Sequence, residues 1–308
     1  MLCSYVTHAD CLRHEMGADH PECPERIAAA HDQLLIKGLL DYMLVVDAPL
    51  ATEEQLARAH SLAYVRDIIR MSPVEGRRQV DPDTSMNPYT TTAALRAAGA
   101  AVLATDLVLA GETPAAFCCV RPPGHHAERG AAMGFCFFNN VAVGIRHALE
   151  AHGLQRVALI DFDVHHGNGS EDIFRDDGRV LMCSIFEQGI YPFTGDDAKG
   201  PGMVNVGLPS RSGGEKFRHA VTNQWMPALE AFAPQLIYIS AGFDGHREDD
   251  MGNLALVEAD YAWVTTQIMT IARRHCEGRV ISCLEGGYAL SALGRCATAH
   301  VRVLIGAD

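Results

Sequence analysis

The chain has 308 residues, 48% of them hydrophobic and 20% charged, and carries a formal net charge of −13. That balance suits an ordinary globular protein with a sizeable core. The acidity argues against direct binding to nucleic acid, which needs a basic surface, and it permits cationic substrates. The ten cysteines contain no C-x-x-C pair, and several, such as Cys118, Cys119, Cys183 and Cys283, sit in apolar runs. The N-terminus, MLCSYVTHADCLRHEMG, lacks a basic segment followed by an apolar core. A reduced, cytoplasmic protein is expected, and no apolar segment reads as long and uninterrupted enough to span a bilayer.

Residues 2–6 read as a first strand. Residues 8–24 form a polar loop with His8, His14 and His20, whose irregular spacing suits a surface or active-site loop better than a second metal site. Pro24 can open a helix over 25–36, and Val45 and Val46 suggest a short strand. Thr52 and Gln55 resemble a capping box, with a helix over 61–71 beyond it. Residues 72–87, SPVEGRRQVDPDTSMN, read as a polar loop. The alanine-rich stretch 88–109 has helical spacing and ends near Gly111, a plausible C-cap.

Further strands are expected at 115–120, 157–160, 180–185, 204–208, 236–240 and 279–284. Helices fill 139–152, 214–232, 257–275 and the C-terminal remainder. Apolar strands alternating with helices imply one α/β domain, with a parallel central sheet sandwiched by helices. No linker or internal repeat interrupts it.

The reactive residues fall at strand ends. His125 and His126 follow one strand, and Asp161, Asp163 and His165 close the next apolar run, RVALIDFDVHHGNGS. Asp244 and Tyr288 follow two more. Ligands bind beyond the carboxyl ends of strands in open parallel sheets, so four strand ends would deliver these groups to one edge. Asp163, His165 and Asp244 would offer a metal two oxygens and a nitrogen, leaving a position open as at a catalytic zinc. With no cysteine ligand, iron(II) is the alternative. A metal-acidified water, histidines that take and give protons and a phenol that donates to an oxyanion describe metal-assisted hydrolysis of an amide or ester.

With these motifs in hand, the chain resembles the zinc-dependent histone deacetylase superfamily of the bacterial class II-like sort. The match runs through HPECPERI (20–27), RPPGHHAERGAAMGFCFFNNVA (121–142), LIDFDVHHGNG (159–169), SAGFDGH (240–246) and LEGGY (284–288). The resemblance implies the arginase/deacetylase α/β fold and one zinc on Asp163, His165 and Asp244. It implies His126 as general base and acid, His125 as its electrostatic partner and Asp161 bonded to one of that pair. Asn168 stands in the other supporting position, as in class II members, and Tyr288 would polarise the acyl carbonyl. Phe135 and Tyr191 would wall a narrow tunnel for an acyl-lysine side chain, with the Gly134 carbonyl accepting from its amide. Asp83 or Thr84 would sit on the rim and Arg26 would line an internal pocket below the metal. A structural potassium would take Asp161 and Ser184 side chains and the backbones of Asp163, His165 and Ile185.

Three rivals remain. A binuclear manganese ureohydrolase needs second-metal acids, but the sequence reads Asp163-Val164-His165-His166-Gly167 and Asp244-Gly245-His246. An acetylpolyamine deacetylase would place a glutamate where Met251 stands, beside Asp249 and Asp250, and would carry a longer insertion than 72–87. A non-catalytic acyl-lysine binder would not need the intact triad, histidine pair and tyrosine. The expected partner is therefore an acetylated lysine in a protein or peptide, or an acetylated polyamine or small amine, with no membrane. Oligomeric state is left open.

Overall fold

The computed structural model describes residues 2–197 and 200–307. Its strands are β1 (Cys3–Thr7), β2 (Met43–Asp47), β3 (Arg78–Asp81), β4 (Thr84–Met86), β5 (Ala115–Cys118), β6 (Val157–Asp161), β7 (Val180–Glu187), β8 (Met203–Leu208), β9 (Leu236–Ala241) and β10 (Val280–Leu284). Its α-helices are α1 (Glu25–Ile36), α2 (Glu53–Ala57), α3 (Leu62–Met71), α4 (Thr90–Leu109), α5 (Asn140–Glu150), α6 (Asn168–Phe174), α7 (Gly214–Ala220), α8 (Met226–Phe232), α9 (Glu258–His275) and α10 (Leu290–Leu304).

Eight strands form one sheet in the order β2-β1-β5-β10-β9-β6-β7-β8, every pairing parallel. The central strands are apolar and buried along their whole length, as a sheet covered on both faces requires. On one face Tyr238 of β9 reaches Thr105 of α4 and lies so close to Gly144 of α5 that a side chain there would collide with it. On the other face His300 of α10 bonds Ser282 of β10 (2.9 Å) and packs on Phe117 of β5. The single α/β domain expected from the alternation of elements is thus observed.

Three local expectations need correction. Residues 72–87 are not all loop, because β3 and β4 pair antiparallel with an irregularity between Gln79 and Asp81. These strands are too short and polar to show an alternating pattern. The helix expected over 214–232 is broken by a π-helical turn, Val221–Trp225. Pro227 follows it and has no N–H to complete the α-helical ladder. Finally, α4 is long and apolar enough to cross a membrane by length and composition, although most of it is buried inside this fold.

Candidate active site

The four contiguous strands β5, β10, β9 and β6 carry the reactive residues beyond their carboxyl ends. They surround a cavity of about 220 Å³ whose lining includes His126, His165 and Tyr288. Around the lining His165, donor atoms of Asp163, His165 and Asp244 lie within 4.8 Å of one another, and all three residues are buried. His165 Nδ1 stands 3.0 Å from Asp163 Oδ1 and 3.3 Å from Asp244 Oδ2. Their remaining oxygens are pinned by the backbone: Gly286 N donates to Asp163 Oδ2 (2.8 Å) and Val164 N to Asp244 Oδ1 (2.9 Å).

This donor set fits a divalent cation. Asp244 Oδ2 is buried without a hydrogen bond among the described residues, which is costly unless a cation faces it. Glycines make room for the acids. A Cβ at Gly286 would lie 2.0 Å from Asp244 Oδ2, and one at Gly242 would lie 2.0 Å from Asp163 Oδ2. The electrostatics agree in direction. Burial and the neighbouring Asp163 charge push Asp244 up to about 7. For His165, burial is outweighed by the hydrogen bond to Asp163 and by the nearby Asp244 carboxylate, which push it up to about 10. Two carboxylates around one imidazole demand positive charge.

The two histidines face opposite electrostatics. His125 donates from Nδ1 to Asp161 Oδ2 (3.0 Å). Burial disfavours its charge, but Asp163 and Asp161 outweigh burial and push it up to about 10. His126 stacks 4.0 Å from His125 between ring centroids. Burial and the charges of His125 and His165 hold its pKa well below the usual value, so it is neutral. Its Nδ1 meets Asn168 Oδ1 at 2.8 Å. Asn168 opens α6.

The substrate-side residues are distributed less simply. Asp83, Gly134, Phe135, Tyr191 and Met251 line the cavity. Phe135 packs edge-on to Tyr288 (6.0 Å) and Tyr191 edge-on to His126 (5.2 Å). Thr84 is buried behind the wall rather than on the rim. There its hydroxyl donates to Asp83 Oδ1 (2.7 Å) and accepts from Phe135 N (2.9 Å). Arg26 lies outside this cavity, fully buried, with its guanidinium 4.8 Å from the Tyr288 ring centroid. It donates to Gly287 O (2.6 Å), Glu285 O and Glu22 Oε1 (3.1 Å). Burial raises the Tyr288 phenol well above its ordinary pKa, and the Arg26 charge opposes that only in part.

In the expected potassium set, Asp161 and Ser184 are register partners on β6 and β7, with Ile185 next along β7. The Ser184 hydroxyl is buried and has no hydrogen-bond partner among the described residues, which suits a hard cation ligated by oxygen. Where a ureohydrolase needs another carboxylate there is Gly167, and a Cβ there would lie 2.2 Å from Asp161 Oδ2. No acid fits at that position. A second cluster, Asp106, His147 and His152, lies on and beside α4 and α5. Arg58 Nη1 approaches His147 Nδ1 (2.9 Å), so the ring N–H faces Asp106 (2.8 Å), which His152 Nε2 also meets (2.7 Å), and the cluster is a hydrogen-bonded knot.

Four acids support the site in roles that the sequence did not assign, Asp249 having been considered there only beside Met251. Asp249 Oδ2 accepts from Tyr288 N (2.6 Å) and Ala289 N (2.8 Å), holding the tyrosine turn. Glu285 Oε2 accepts from Gly124 N (2.6 Å) and His125 N (3.1 Å), holding the histidine turn. Glu22 forms a buried ion pair with Arg121, which carries the loop 8–24 against the site. Glu128 accepts from Asn168 Nδ2 (2.8 Å). The only signal for them was their place inside the motifs or near them.

A parallel α/β sheet with two oxygens, one nitrogen, a neutral histidine and a phenol at one edge is an arrangement suited to metal-assisted hydrolysis. Comparison with known proteins gives the family. The histone deacetylase domain family matches residues 20–304, and the chain belongs to it. A probable deacetylase of Archaeoglobus fulgidus is 37% identical over 94% of this chain and 82% of its own. The histone deacetylase-like amidohydrolase of Pseudomonas aeruginosa is 36% identical, covering 94% and 78%. Human polyamine deacetylase HDAC10 is also 36% identical, and there the match spans 98% of this chain but 48% of the relative. The crystal structure of the HDA15 HD domain superposes with a TM-score of 0.92 at 33% identity, covering 99% of this chain and 88% of that one. The family and these names indicate hydrolysis of acyl amide bonds.

Proposed function

We propose that the protein is a zinc-dependent deacetylase that removes acetyl or other short acyl groups from lysine side chains, with iron(II) as the alternative metal. The observation that carries this reading is the cavity lined by His126, His165 and Tyr288, with Asp163 and Asp244 completing a donor set around that His165. A metal held by those three residues would acidify a water and polarise an acyl carbonyl.

The rest is done by the chain. Neutral His126, with its Nδ1 hydrogen directed at Asn168, presents a free Nε2 lone pair to accept a proton and later return it to the leaving amine. His125, held protonated by Asp161 and Asp163, keeps positive charge beside the site where negative charge develops. The Tyr288 phenol, protonated throughout the neutral range, donates to the developing oxyanion. Phe135 and Tyr191 bracket a linear aliphatic stem, and the Gly134 carbonyl accepts from the scissile amide. A potassium ion on Asp161 and Ser184 would support the β6 end.

A peptide substrate is favoured over an acetylated polyamine. Met251 is the side chain at the cavity where an acid would greet a distant ammonium. Asp249 cannot substitute, because Oδ2 serves Tyr288 and Ala289 while Oδ1 accepts from Met251 N (3.1 Å). The ten free cysteines suit a reducing, cytoplasmic setting.

The test is acetate release by metal-analysed protein from an acetyl-lysine peptide and from acetylputrescine, with and without chelator. Turnover of the peptide that chelator abolishes is expected. Turnover confined to acetylputrescine would overturn the substrate assignment, and turnover unchanged in metal-free protein would overturn the mechanism.

A further inference from the structure

We propose that Glu128 is a positioning residue that fixes the tautomer of His126 by fixing which way the Asn168 amide points. This rests on the deacetylase reading above, in which His126 Nε2 must be unprotonated. An asparagine amide can face a histidine with either end, so by itself it selects no tautomer. If Asn168 turned its NH₂ toward His126, the ring would have to accept at Nδ1 and carry its hydrogen on Nε2, and no base would face the cavity.

Glu128 removes that freedom. Its carboxylate only accepts, and Oε1 lies 2.8 Å from Asn168 Nδ2, with Met133 Sδ as a further weak acceptor at 3.3 Å. Reversing the amide would set the Asn168 oxygen against the carboxylate oxygen at that distance. The amide oxygen therefore faces His126 Nδ1 (2.8 Å), which must donate.

Glu128 is itself held by its backbone. Its N–H donates to Ala131 O (2.9 Å), and its carbonyl accepts from His60 Nδ1 (2.9 Å). The other nitrogen of His60 accepts from Asn139 N (2.9 Å), so the direction of that bond is also determined. The backbone of α6 can come this close to the histidine turn because position 169 is glycine. A Cβ there would lie 2.3 Å from Ala127 O. The chain thus builds a directional relay, with His60 holding the Glu128 backbone, Glu128 orienting Asn168 and Asn168 orienting His126.

The experiment compares zinc-loaded wild type, Glu128→Lys, Glu128→Leu, Glu128→Gln and the double variant Glu128→Lys/Asn168→Asp. Readouts are kcat and KM on an acetyl-lysine peptide, and the two-bond ¹H–¹⁵N histidine spectrum, with His126 assigned from His126→Ala. A lysine donor should reverse the Asn168 amide, move the His126 hydrogen to Nε2 and lower kcat about 100-fold, the scale of a lost general base. KM should hold within about threefold, since ground-state binding is untouched. Leucine, which leaves the amide free, should give mixed tautomers, and glutamine, which can still accept, should stay within about fivefold of wild-type kcat. In the double variant the carboxylate introduced at position 168 accepts from His126 and pairs with the ammonium introduced at position 128. The Nδ1–H tautomer and at least about tenfold of the lost kcat should then return. Wild-type tautomer in folded Glu128→Lys, or in Glu128→Leu if the lysine variant does not fold, would overturn the proposal. If wild type hydrolyses no amide, the deacetylase reading fails, and the spectra still decide the role of Glu128.

Discussion

Replacing Gly286 with alanine should empty the metal site without altering a ligand. An ideal Cβ at 286 would lie 2.0 Å from Asp244 Oδ2 and 2.5 Å from Asp163 Oδ2, where real Cβ atoms stay beyond 3.0 Å. Asp244 must therefore retreat by about 1 Å and Asp163 by about half that, against a tolerance of about 0.2 Å in metal–ligand distance. Gly286 is not among the glycines in the left-handed region, so the alanine backbone itself is unstrained and the cost falls on the two carboxylates. Losing a partner outside the ligand shell already lowers metal affinity about 10–100-fold, so displacing two ligands should lower it by more than about 100-fold. Overpacking costs about 1–3 kcal/mol, which a domain of ordinary stability survives. Competition for zinc against a chromophoric chelator, with a melting curve to verify folding, measures this. A folded Gly286→Ala protein with wild-type zinc affinity would refute the steric account of the site.

Asp249→Ala should leave metal content unchanged and lower kcat about 10–100-fold, because Tyr288 N and Ala289 N lose their shared acceptor and the phenol drifts. Unaltered kcat on the acetyl-lysine peptide would contradict that role. Met251→Glu should raise turnover of acetylputrescine relative to the peptide by about tenfold, the value of one new ion pair at a partly desolvated mouth; an unchanged ratio would remove position 251 from substrate selection. His300 should make the fold acid-sensitive. Burial lowers its pKa to about 3, below the unfolded value of about 6.5. The unfolded chain therefore binds a proton that the folded chain refuses as pH falls from about 6.5 toward 3, and stability drops by about 1.4 kcal/mol per pH unit in that window. Urea unfolding of His300→Gln should lack this slope, and parallel pH profiles for the two proteins would disprove it.

The sequence was informative where chemistry and periodicity coincide. Apolar runs such as Val157–Asp161 and Val180–Glu187 can be buried on both faces only as inner parallel strands, so the sheet and its layers were legible. Acids and histidines just past four such runs could reach one edge only. Their alignment makes Asp163, His165, Asp244, His125, His126 and Tyr288 candidates from the sequence alone. The hairpin of β3 and β4 was hidden because strands of four and three residues, each with a single apolar side chain, carry no readable alternation.

What the sequence by itself determined is the α/β class and the set of ligand-type residues at strand ends, because both follow from local rules of extended chain. Tertiary structure alone decided which acids hold those residues in place. Asp249 meets Tyr288 across 39 positions, Glu285 meets His125 across 160 and Glu128 meets Asn168 across 40. A hydrogen bond depends on distance and direction in space, and no periodicity along the chain encodes a pairing between loops brought together by the order of the strands.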